Sequence, residues 1–386
     1  MQRPPIRLTL LTGFLGAGKT TLLNRFLKDP ALSNTAVVVN EFGEAAIDPL
    51  LIEAVSSDGV ISLSDGCLCC TVRGELVQTL VDLAVAPRPE GAGALERVVV
   101  ETTGLADPGP ILAAMMSHPA LLEAYALDGV VTVVDAMNGA ATLDAQSDSR
   151  RQVAVADRLI VTKSDLADRE AVATTRAAIR AVNPRAPILD AIEITSAKDA
   201  LIGCGVSDAL SRTDDIAAWL GTETRPTIEP DSAPESGGDH AHGHDHRHHE
   251  HAHSAHGHHR HDGIRSFSLE TATPIAFDAV SGFLDLLTQT AGPRILRMKG
   301  VVLLREDPAR PLVLHGVQGY LHPPAQLPAW PGRSEPGTRI VLIGQGLDER
   351  YVRDLFAAFT GGARPDAPDR SALEDNPLAV PGMRFG

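Results

Sequence analysis

Two short segments have the residue types and the spacing of chemical sites. Gly13–Thr20 fits the phosphate-binding loop pattern at every fixed position. Cys67, Cys69 and Cys70 place three of the four cysteines within one short segment. Backbone N–H groups of a glycine-rich loop bind phosphate, whereas clustered thiolates bind soft metal ions. The sequence therefore predicts a nucleotide site and a metal site in the same part of the chain.

Each residue of the first segment has a role in holding phosphate. The glycines let backbone N–H groups approach the phosphates, Lys19 neutralises the β- and γ-phosphates, and Thr20 is a ligand for Mg²⁺. An apolar run precedes the loop and an apolar-faced helical pattern follows it, as such a loop requires. Thr21 is placed for the α-phosphate. The predicted phosphate-binding residues are Gly13, Gly16, Ala17, Gly18, Lys19, Thr20 and Thr21.

Later segments indicate which base is bound. Asp165 is placed to accept hydrogen bonds from N1 and N2 of guanine, and adenine lacks this pair of donors. The Lys163 stem packs along the base, and the loop that contains Ser196 and Ala197 presents a backbone N–H to guanine O6. Thr162 stands where GTPases commonly have Asn and replaces part of its bonding. These segments, in this order after the phosphate loop, predict GTP and GDP as ligands.

Glu101 and Gly104 follow the apolar run Val98–Val100. Glu101 is expected to reach Mg²⁺ through water, and Gly104 can turn its backbone N–H toward the γ-phosphate. The chain has no assignable glutamine that would orient the attacking water. Unassisted GTP hydrolysis is therefore expected to be slow, on the order of 10⁻³ s⁻¹ or lower. Lys19, Thr20 and Glu101 are the predicted catalytic group.

The spacing of the three cysteines differs from that of a structural zinc site, whose ligand pairs lie far apart in sequence. Thiolates at Cys67, Cys69 and Cys70 can hold one ion and leave a fourth position open, which suits a site that passes its ion on. Thiolate ligands favour Zn²⁺ or Cu⁺ over Mg²⁺ or Ca²⁺. The sequence leaves open whether the site binds Co²⁺ or Ni²⁺ instead. Cys204 stands alone and is interpreted as a packing residue.

Together these motifs resemble those of the CobW-like metallochaperone GTPases. The resemblance implies GTP hydrolysis, binding of Zn²⁺ or a similar divalent ion, and delivery of that ion to an unidentified metal-requiring client protein. It also implies Glu44 and His118 as candidates for completing the metal shell. The matching segments are Gly13–Thr21, Asn40–Glu44, Gly66–Cys70, Glu101–Pro108, Thr162–Asp165, Leu296–Gly300, His315–Gln318 and His322–Pro324.

The hydrophobic pattern predicts the elements that position these residues. Short apolar runs alternate with helical patterns over residues 1–222, which predicts an α/β P-loop GTPase domain with a mostly parallel sheet covered by helices. The site residues follow these runs, at the strand ends where such sheets bind ligands. The predicted strands are Ile6–Leu11, Ala36–Val39, Val98–Val100, Val130–Val134, Leu159–Val161 and Ile188–Leu189.

Composition changes sharply after residue 222. Residues 223–263 carry 12 of the 15 histidines and few groups to bury, which predicts a disordered His-rich linker that either collects metal or is merely solvated. Neighbouring strands then predict a smaller α+β C-terminal domain over residues 264–361, followed by a loose tail over residues 362–386. The predicted strands of this C-terminal domain are Arg265–Leu269, Val301–Leu304, Pro311–His315 and Arg339–Ile343, and its predicted helices are Phe277–Leu287 and Asp348–Phe359.

Charge and cysteine usage narrow the class of protein. The formal net charge of −15 disfavours nucleic acid and anionic membrane as partners. No apolar run resembles an export signal or reaches the roughly 18 residues of a membrane span. Clustered thiols without a disulfide framework predict a cytoplasmic protein. The sequence leaves open whether the protein forms a homo-oligomer.

Two other functions share these features. A cobalt-handling GTPase for corrinoid synthesis or for a cobalt enzyme has the same fold and a different cargo. A non-catalytic zinc buffer would bind its ions through the His-rich tract, and its nucleotide would only stabilise the fold. Lys19 and Thr20 favour an enzyme over a buffer, whereas the sequence does not separate zinc from cobalt.

Overall fold

The computed structural model describes residues 4–40, 60–63, 71–87, 93–205, 263–330 and 335–361. The predicted ligands Cys67, Cys69, Cys70 and Glu44 lie outside these ranges, as do the His-rich tract and the predicted tail. The predicted domain boundaries stay predictions. No helix within the described ranges is long and apolar enough to span a membrane.

In the N-terminal part of the described chain, seven parallel strands form one sheet in the order β3-β2-β4-β1-β5-β6-β7. Continuous Val, Ile and Leu runs form these strands because helices cover both faces of a parallel sheet. β3 is not among the predicted strands, because its apolar run is only four residues long and is interrupted by Ser62. The strands are β1 (Ile6–Gly13), β2 (Thr35–Asn40), β3 (Val60–Leu63), β4 (Arg97–Glu101), β5 (Tyr125–Asp135), β6 (Arg158–Thr162) and β7 (Ile188–Asp190).

Helices connect these strands and cover the sheet. α7 shows how the sequence sets a helix start, because the side chain of Asp168 accepts a hydrogen bond from the Ala171 N–H and caps the first turn. The described helices of this part are α1 (Lys19–Phe26), α2 (Thr71–Val85), α3 (Gly109–Ser117), α4 (Pro119–Ala124), α5 (Gly139–Ala145), α6 (Ser147–Val155), α7 (Arg169–Val182) and α8 (Ala197–Leu201).

The C-terminal part contains an antiparallel sheet of six described strands in the order β11-β10-β9-β13-β8, with β12 paired to β10. Two helices, α9 and α10, pack against it and against each other through Phe283 and Phe356, whose ring centroids are 5.3 Å apart. The elements are β8 (Ile264–Thr271), α9 (Phe277–Ala291), β9 (Ile295–Val302), β10 (Leu312–Val317), β11 (Tyr320–Leu321), β12 (Ala325–Gln326), β13 (Thr338–Gln345) and α10 (Glu349–Thr360).

The position of β9 corrects one prediction. The strand predicted at Val301–Leu304 instead begins at Ile295 and ends at Val302. Arg297 and Lys299 interrupt the apolar pattern of this strand, so its first half does not read as a buried strand. The side chain of Arg297 is nevertheless 2% exposed and that of Lys299 12% exposed, because a carboxylate beside the other sheet meets them.

That carboxylate belongs to Asp157, which lies immediately before β6. Its Oδ1 is 2.5 Å from Arg297 Nη2 and 2.6 Å from Lys299 Nζ, and its Oδ2 accepts a hydrogen bond from the Val130 N–H at 2.9 Å. Burial alone would raise the pKa of Asp157, but the charges of Arg297 and Lys299 outweigh burial and hold that pKa well below its ordinary value. The two parts of the chain are therefore joined by a buried ion cluster.

Apolar packing also crosses between the two sheets. Leu296, Val317 and Ile343 of the C-terminal part belong to the same buried cluster as Leu112 and Met116 of α3. Burial of apolar surface contributes about 25 cal/mol per Å² removed from water, so this shared core adds to the attraction of the ion cluster. The C-terminal sheet is thus packed directly against α3 and the strands beside it.

We expect Asp157→Asn to lower the free energy of unfolding by about 3 to 5 kcal/mol at pH 7, because it leaves Arg297 and Lys299 buried without their counter-charge. A lowered folded-state pKa stabilises the fold above the ordinary pKa of 3.8, and this contribution is lost as pH falls below it. The difference between wild type and variant should therefore hold from pH 7 to about pH 5 and narrow below about pH 4.

The matched control is Asp354→Asn, which removes an exposed ion pair with Arg350. Such pairs contribute about 0 to 1 kcal/mol, so the control should unfold close to wild type. Denaturant unfolding followed at several pH values measures both variants. Equal destabilisation of the two variants would contradict the assignment of a buried ion cluster.

Candidate nucleotide site

The carboxyl ends of the parallel strands meet at one edge of the first sheet. β1 runs into the phosphate loop, and the other strands that carry predicted site residues end close to it. β4 ends at Glu101, β5 at Asp135, β6 at Thr162 and β7 at Asp190. The strand order places β1 between β4 and β5, so the loop lies at the centre of this edge. Ligand sites of open α/β sheets form at this position.

The phosphate loop connects β1 to α1 through Gly13, Gly16 and Gly18, all of which have positive φ angles. Lys19 is 8% exposed, and its Nζ donates to the backbone oxygens of Gly13 at 2.9 Å and Phe14 at 3.3 Å. The ammonium group is therefore held over the loop, with its charge directed at the position expected for phosphate. Ala17 is buried against the core, whereas Gly16 and Thr21 are exposed.

Thr20 and Glu101 meet across the gap between α1 and β4. Thr20 Oγ1 donates to Glu101 Oε1 at 2.5 Å, and Glu101 is 3% exposed. A neighbouring pair of hydroxyls joins β1 to the end of β4, since Thr102 Oγ1 donates to Thr12 Oγ1 at 2.8 Å. A threonine hydroxyl and a carboxylate are hard oxygen donors, which suit Mg²⁺. The structure thus brings together the two residues that the sequence assigns to this ion.

Thr162 braces the phosphate loop from the neighbouring strand. Its Oγ1 donates to Ala17 O at 2.6 Å, with Val134 O at 3.4 Å. A threonine thus makes the loop-to-loop contact for which GTPases commonly use Asn. The next residue, Lys163, has a φ of 57°. This turn of the chain ends β6 and leaves the side chain of Asp165 exposed at the edge of the sheet.

Asp135 was not among the predicted site residues, although it ends β5 directly beside them. Its Oδ2 is 2.7 Å from Lys163 Nζ, and its Oδ1 accepts a hydrogen bond from the Met137 N–H at 2.7 Å. Burial raises the pKa of Asp135, but the hydrogen bonds from Lys163 and Met137 have the larger combined effect, so the pKa is lowered overall. The carboxylate thereby holds the Lys163 stem in place. The sequence feature that could have identified Asp135 is its position directly after the predicted strand Val130–Val134.

The second predicted base loop is also held by a carboxylate that the sequence did not single out. Ser196 caps α8, where its Oγ accepts from the Asp199 N–H at 3.3 Å. The Ala197 N–H donates to Asp29 Oδ2 at 2.6 Å. Hydrogen bonds from the backbone N–H groups of Ala197 and Ala31 lower the pKa of Asp29. The Ala197 N–H predicted for guanine O6 therefore has Asp29 as its partner in this structure.

Gly104 lies against the phosphate loop. A Cβ atom added at this position would be 2.5 Å from the backbone nitrogen of Leu15, so only glycine permits this approach. The side-chain amide of Gln152 on α6 donates to Gly104 O at 3.1 Å and to Ala106 O at 3.0 Å. The loop after β4 is thus packed beside the position expected for the γ-phosphate, and Gln152 fixes its backbone.

Of the five predicted metal ligands, His118 alone lies in the part of the chain that the structure describes, so the metal site stays a prediction. His118 lies at the junction of α3 and α4, and its Nδ1 is buried with no hydrogen-bond partner in that part of the chain. The described ranges contain no group of three or more His, Cys, Asp or Glu side chains placed to hold a metal ion. Burial raises the pKa of Cys204 to about 12, which agrees with its interpretation as a packing residue.

Sequence profiles of two known domains cover most of the chain. The profile of the CobW/HypB/UreG nucleotide-binding domain matches residues 7–190, which contain the site described above. The profile of the cobalamin synthesis protein cobW C-terminal domain matches residues 264–360, which contain the antiparallel sheet. The order of the two matches follows the order of the two sheets.

Individual relatives match over nearly their whole length. The zinc chaperone YjiA of Escherichia coli is 31% identical over 92% of this chain and 98% of its own. The zinc chaperone CobW of a Sinorhizobium species is 30% identical over 91% and 96%, respectively. The crystal structure of the Zn(II)-bound YjiA GTPase from E. coli superimposes with a TM-score of 0.61 over 92% of this chain and 99% of its own, at 26% identity. The chain therefore belongs to the CobW family, with a P-loop GTPase fold followed by a CobW C-terminal domain.

Proposed function

We propose that this protein is a GTP-hydrolysing metallochaperone, which binds Zn²⁺ or a similar divalent ion and transfers it to a client protein under nucleotide control. The observation that carries the proposal is the contact between Thr20 and Glu101 at the start of α1, beside the buried Lys19. Phosphate loop, Mg²⁺ ligands and base loops converge at one edge of the sheet. Full-length relatives named zinc chaperones support the cargo.

Each nucleotide-binding side chain has a defined task in this proposal. Lys19 exchanges its bonds to the loop carbonyls for bonds to the β- and γ-phosphates. Thr20, and Glu101 through water, would hold Mg²⁺, which would neutralise charge on the phosphates. Asp165 accepts from N1 and N2 of guanine, and Ser196 and Ala197 read O6 once the bond from Ala197 to Asp29 exchanges.

The metal site is proposed at Cys67, Cys69 and Cys70, with Glu44 and His118 completing the shell. Its support is the donor chemistry of three thiolates and their place in sequence between the phosphate loop and Glu101. Zn²⁺ is proposed as the ion, while Co²⁺ or Ni²⁺ would bind the same donors. Residues 223–263 are proposed to be a linker whose imidazoles collect ions. Clustered thiols suit the cytoplasm, where we propose that the protein acts.

We expect Lys19→Ala to abolish GTP turnover, because the phosphates lose their main positive charge. Asp165→Asn should reduce the preference for GTP over ATP by at least about tenfold, since a hydrogen bond to a charged group contributes about 1.5 to 3 kcal/mol. Competition binding with both nucleotides and a phosphate-release assay measure the two effects.

Asp144→Asn is the matched control for the base-reading residue, because Asp144 is an exposed carboxylate on α5. It should retain the preference for GTP. An Asp165→Asn variant with the same discrimination as wild type would show that another group reads the base.

Metal affinity and nucleotide state should be thermodynamically coupled. If GTP orders the three thiolates around one ion, the Zn²⁺ affinities of the GTP and GDP forms should differ, by about 5- to 150-fold for typical couplings. Cys69→Ser should remove most of this difference and leave nucleotide binding intact. Competitive Zn²⁺ titration in the presence of a non-hydrolysable GTP analogue or GDP measures the coupling. Equal affinities in both states would favour a metal buffer.

A further inference from the structure

The turn between β10 and β11 has an unusual residue at its tip. Gln318 has a φ of 50° and Gly319 a φ of 79°, and the strands pair directly on either side of them, with Val317 opposite Tyr320. Two-residue turns with positive φ at both positions favour Asn or Gly at the first position. A glutamine in this conformation is strained. The sequence therefore retains at this position a side chain that the turn itself does not favour.

The side chain of Gln318 reaches the nucleotide-binding part of the chain. Its Nε2 is 3.4 Å from Asp107 Oδ2. The amide also packs over the first turn of α3, where a Cβ atom added to Gly109 would be 2.0 Å from Nε2. Asp107 Oδ1 accepts from the Gly109 N–H at 2.8 Å. The turn thus contacts the point at which the loop after Glu101 enters α3.

A second contact from the C-terminal sheet reaches the same aspartate through Arg151. Arg151 Nη1 is 3.2 Å from Asp107 Oδ2. The Nε and Nη2 groups of Arg151 donate to Gln345 Oε1, at the end of β13, at 3.3 Å and 3.2 Å. Asp107 is therefore held by Gln318 directly and by Arg151, which Gln345 orients in turn.

The next residue of α6 holds the rest of the loop. Gln152 is fully buried and donates from one amide nitrogen to Gly104 O and Ala106 O. Its Oε1 has no hydrogen-bond partner among the described residues, so the two donated bonds alone orient the amide. Arg151 and Gln152 thus hold the loop at both of its ends, and the C-terminal sheet acts on the Asp107 end.

We propose that the turn formed by Gln318 and Gly319 is an intramolecular regulator of GTP turnover. Gln318 holds Asp107 directly, and Gln345 holds it through Arg151. Both are positioning residues, which through Asp107 keep Gly104 packed against the phosphate loop, ready for the γ-phosphate. A displacement of this turn therefore changes the rate of hydrolysis. The inference rests on the proposed GTPase activity, to which it adds a route of control.

Three substitutions at one position separate the contact from the backbone strain. Gln318→Gly relieves the strain and removes the contact, Gln318→Lys keeps a donor for Asp107, and Gln318→Glu places a like charge beside it. We expect kcat to decrease in the order wild type, Lys, Gly and Glu, with a loss of about fivefold or more for Glu. KM for GTP should change by less than kcat, because Gln318 does not touch nucleotide. The thermal midpoint of the Gly variant should equal or exceed that of wild type.

Asn34→Gly is the control for strain relief, since Asn34 also has a positive φ of 57° and lies away from this loop. Its kcat should match that of wild type. Equal kcat for the Lys and Glu variants, or losses that follow the thermal midpoint in every variant, would overturn the proposal.

Hydrogen exchange of the amides of residues 104–107 provides a readout that does not need turnover. It should be faster in Gln318→Glu than in wild type, and unchanged exchange would overturn the proposal whatever the turnover. A wild-type protein without Mg²⁺-dependent GTP hydrolysis would instead refute the proposed function, and the exchange result would still decide whether the turn holds the loop.

Discussion

Asp157 carries a negative charge into the interior between the two sheets, where the charges of Arg297 and Lys299 compensate for its lost hydration. The same carboxylate bonds the backbone of β5 through the Val130 N–H and lies immediately before β6. The opposite ends of β5 and β6 carry the residues that hold the base loop. The C-terminal sheet is therefore anchored to the middle of β5 and to the amino end of β6, whose carboxyl ends lie at the candidate nucleotide site.

The contact at Asp157 determines which helices of the N-terminal part the C-terminal sheet packs against. With β9 fixed at Asp157, the neighbouring strands β10 and β13 lie over α3 and α6, where Val317 and Ile343 join the apolar core. Their ends bring Gln318 to Asp107 and Gln345 to Arg151, which itself pairs with Asp107. The loop after Glu101, which the sequence predicts to approach the γ-phosphate, is thus in contact with both halves of the molecule. Rigid packing of this kind transmits small displacements between sites.

The local part of this arrangement could be predicted from the sequence. Val-rich runs gave most parallel strands, and the glycine spacing gave the phosphate loop with Lys19 and Thr20. Contacts between distant segments could not be predicted, because a single carboxylate carries no signal for its partner. Asp29, Asp135 and Asp157 each act through residues brought close only by the fold. The start of β9 was missed for the same reason, since Arg297 and Lys299 read as exposed until Asp157 is placed beside them.

Through the contacts at Asp107, the loop after Glu101 should communicate nucleotide state from the phosphate loop to the C-terminal sheet. Hydrogen exchange of the wild-type protein, compared between a GTP-analogue form and a GDP form, tests it most directly. The account predicts that the amides of residues 104–107 and those of the turn at Gln318 and Gly319 change their exchange together. A change confined to residues 104–107, with identical exchange at the turn in both forms, would contradict it.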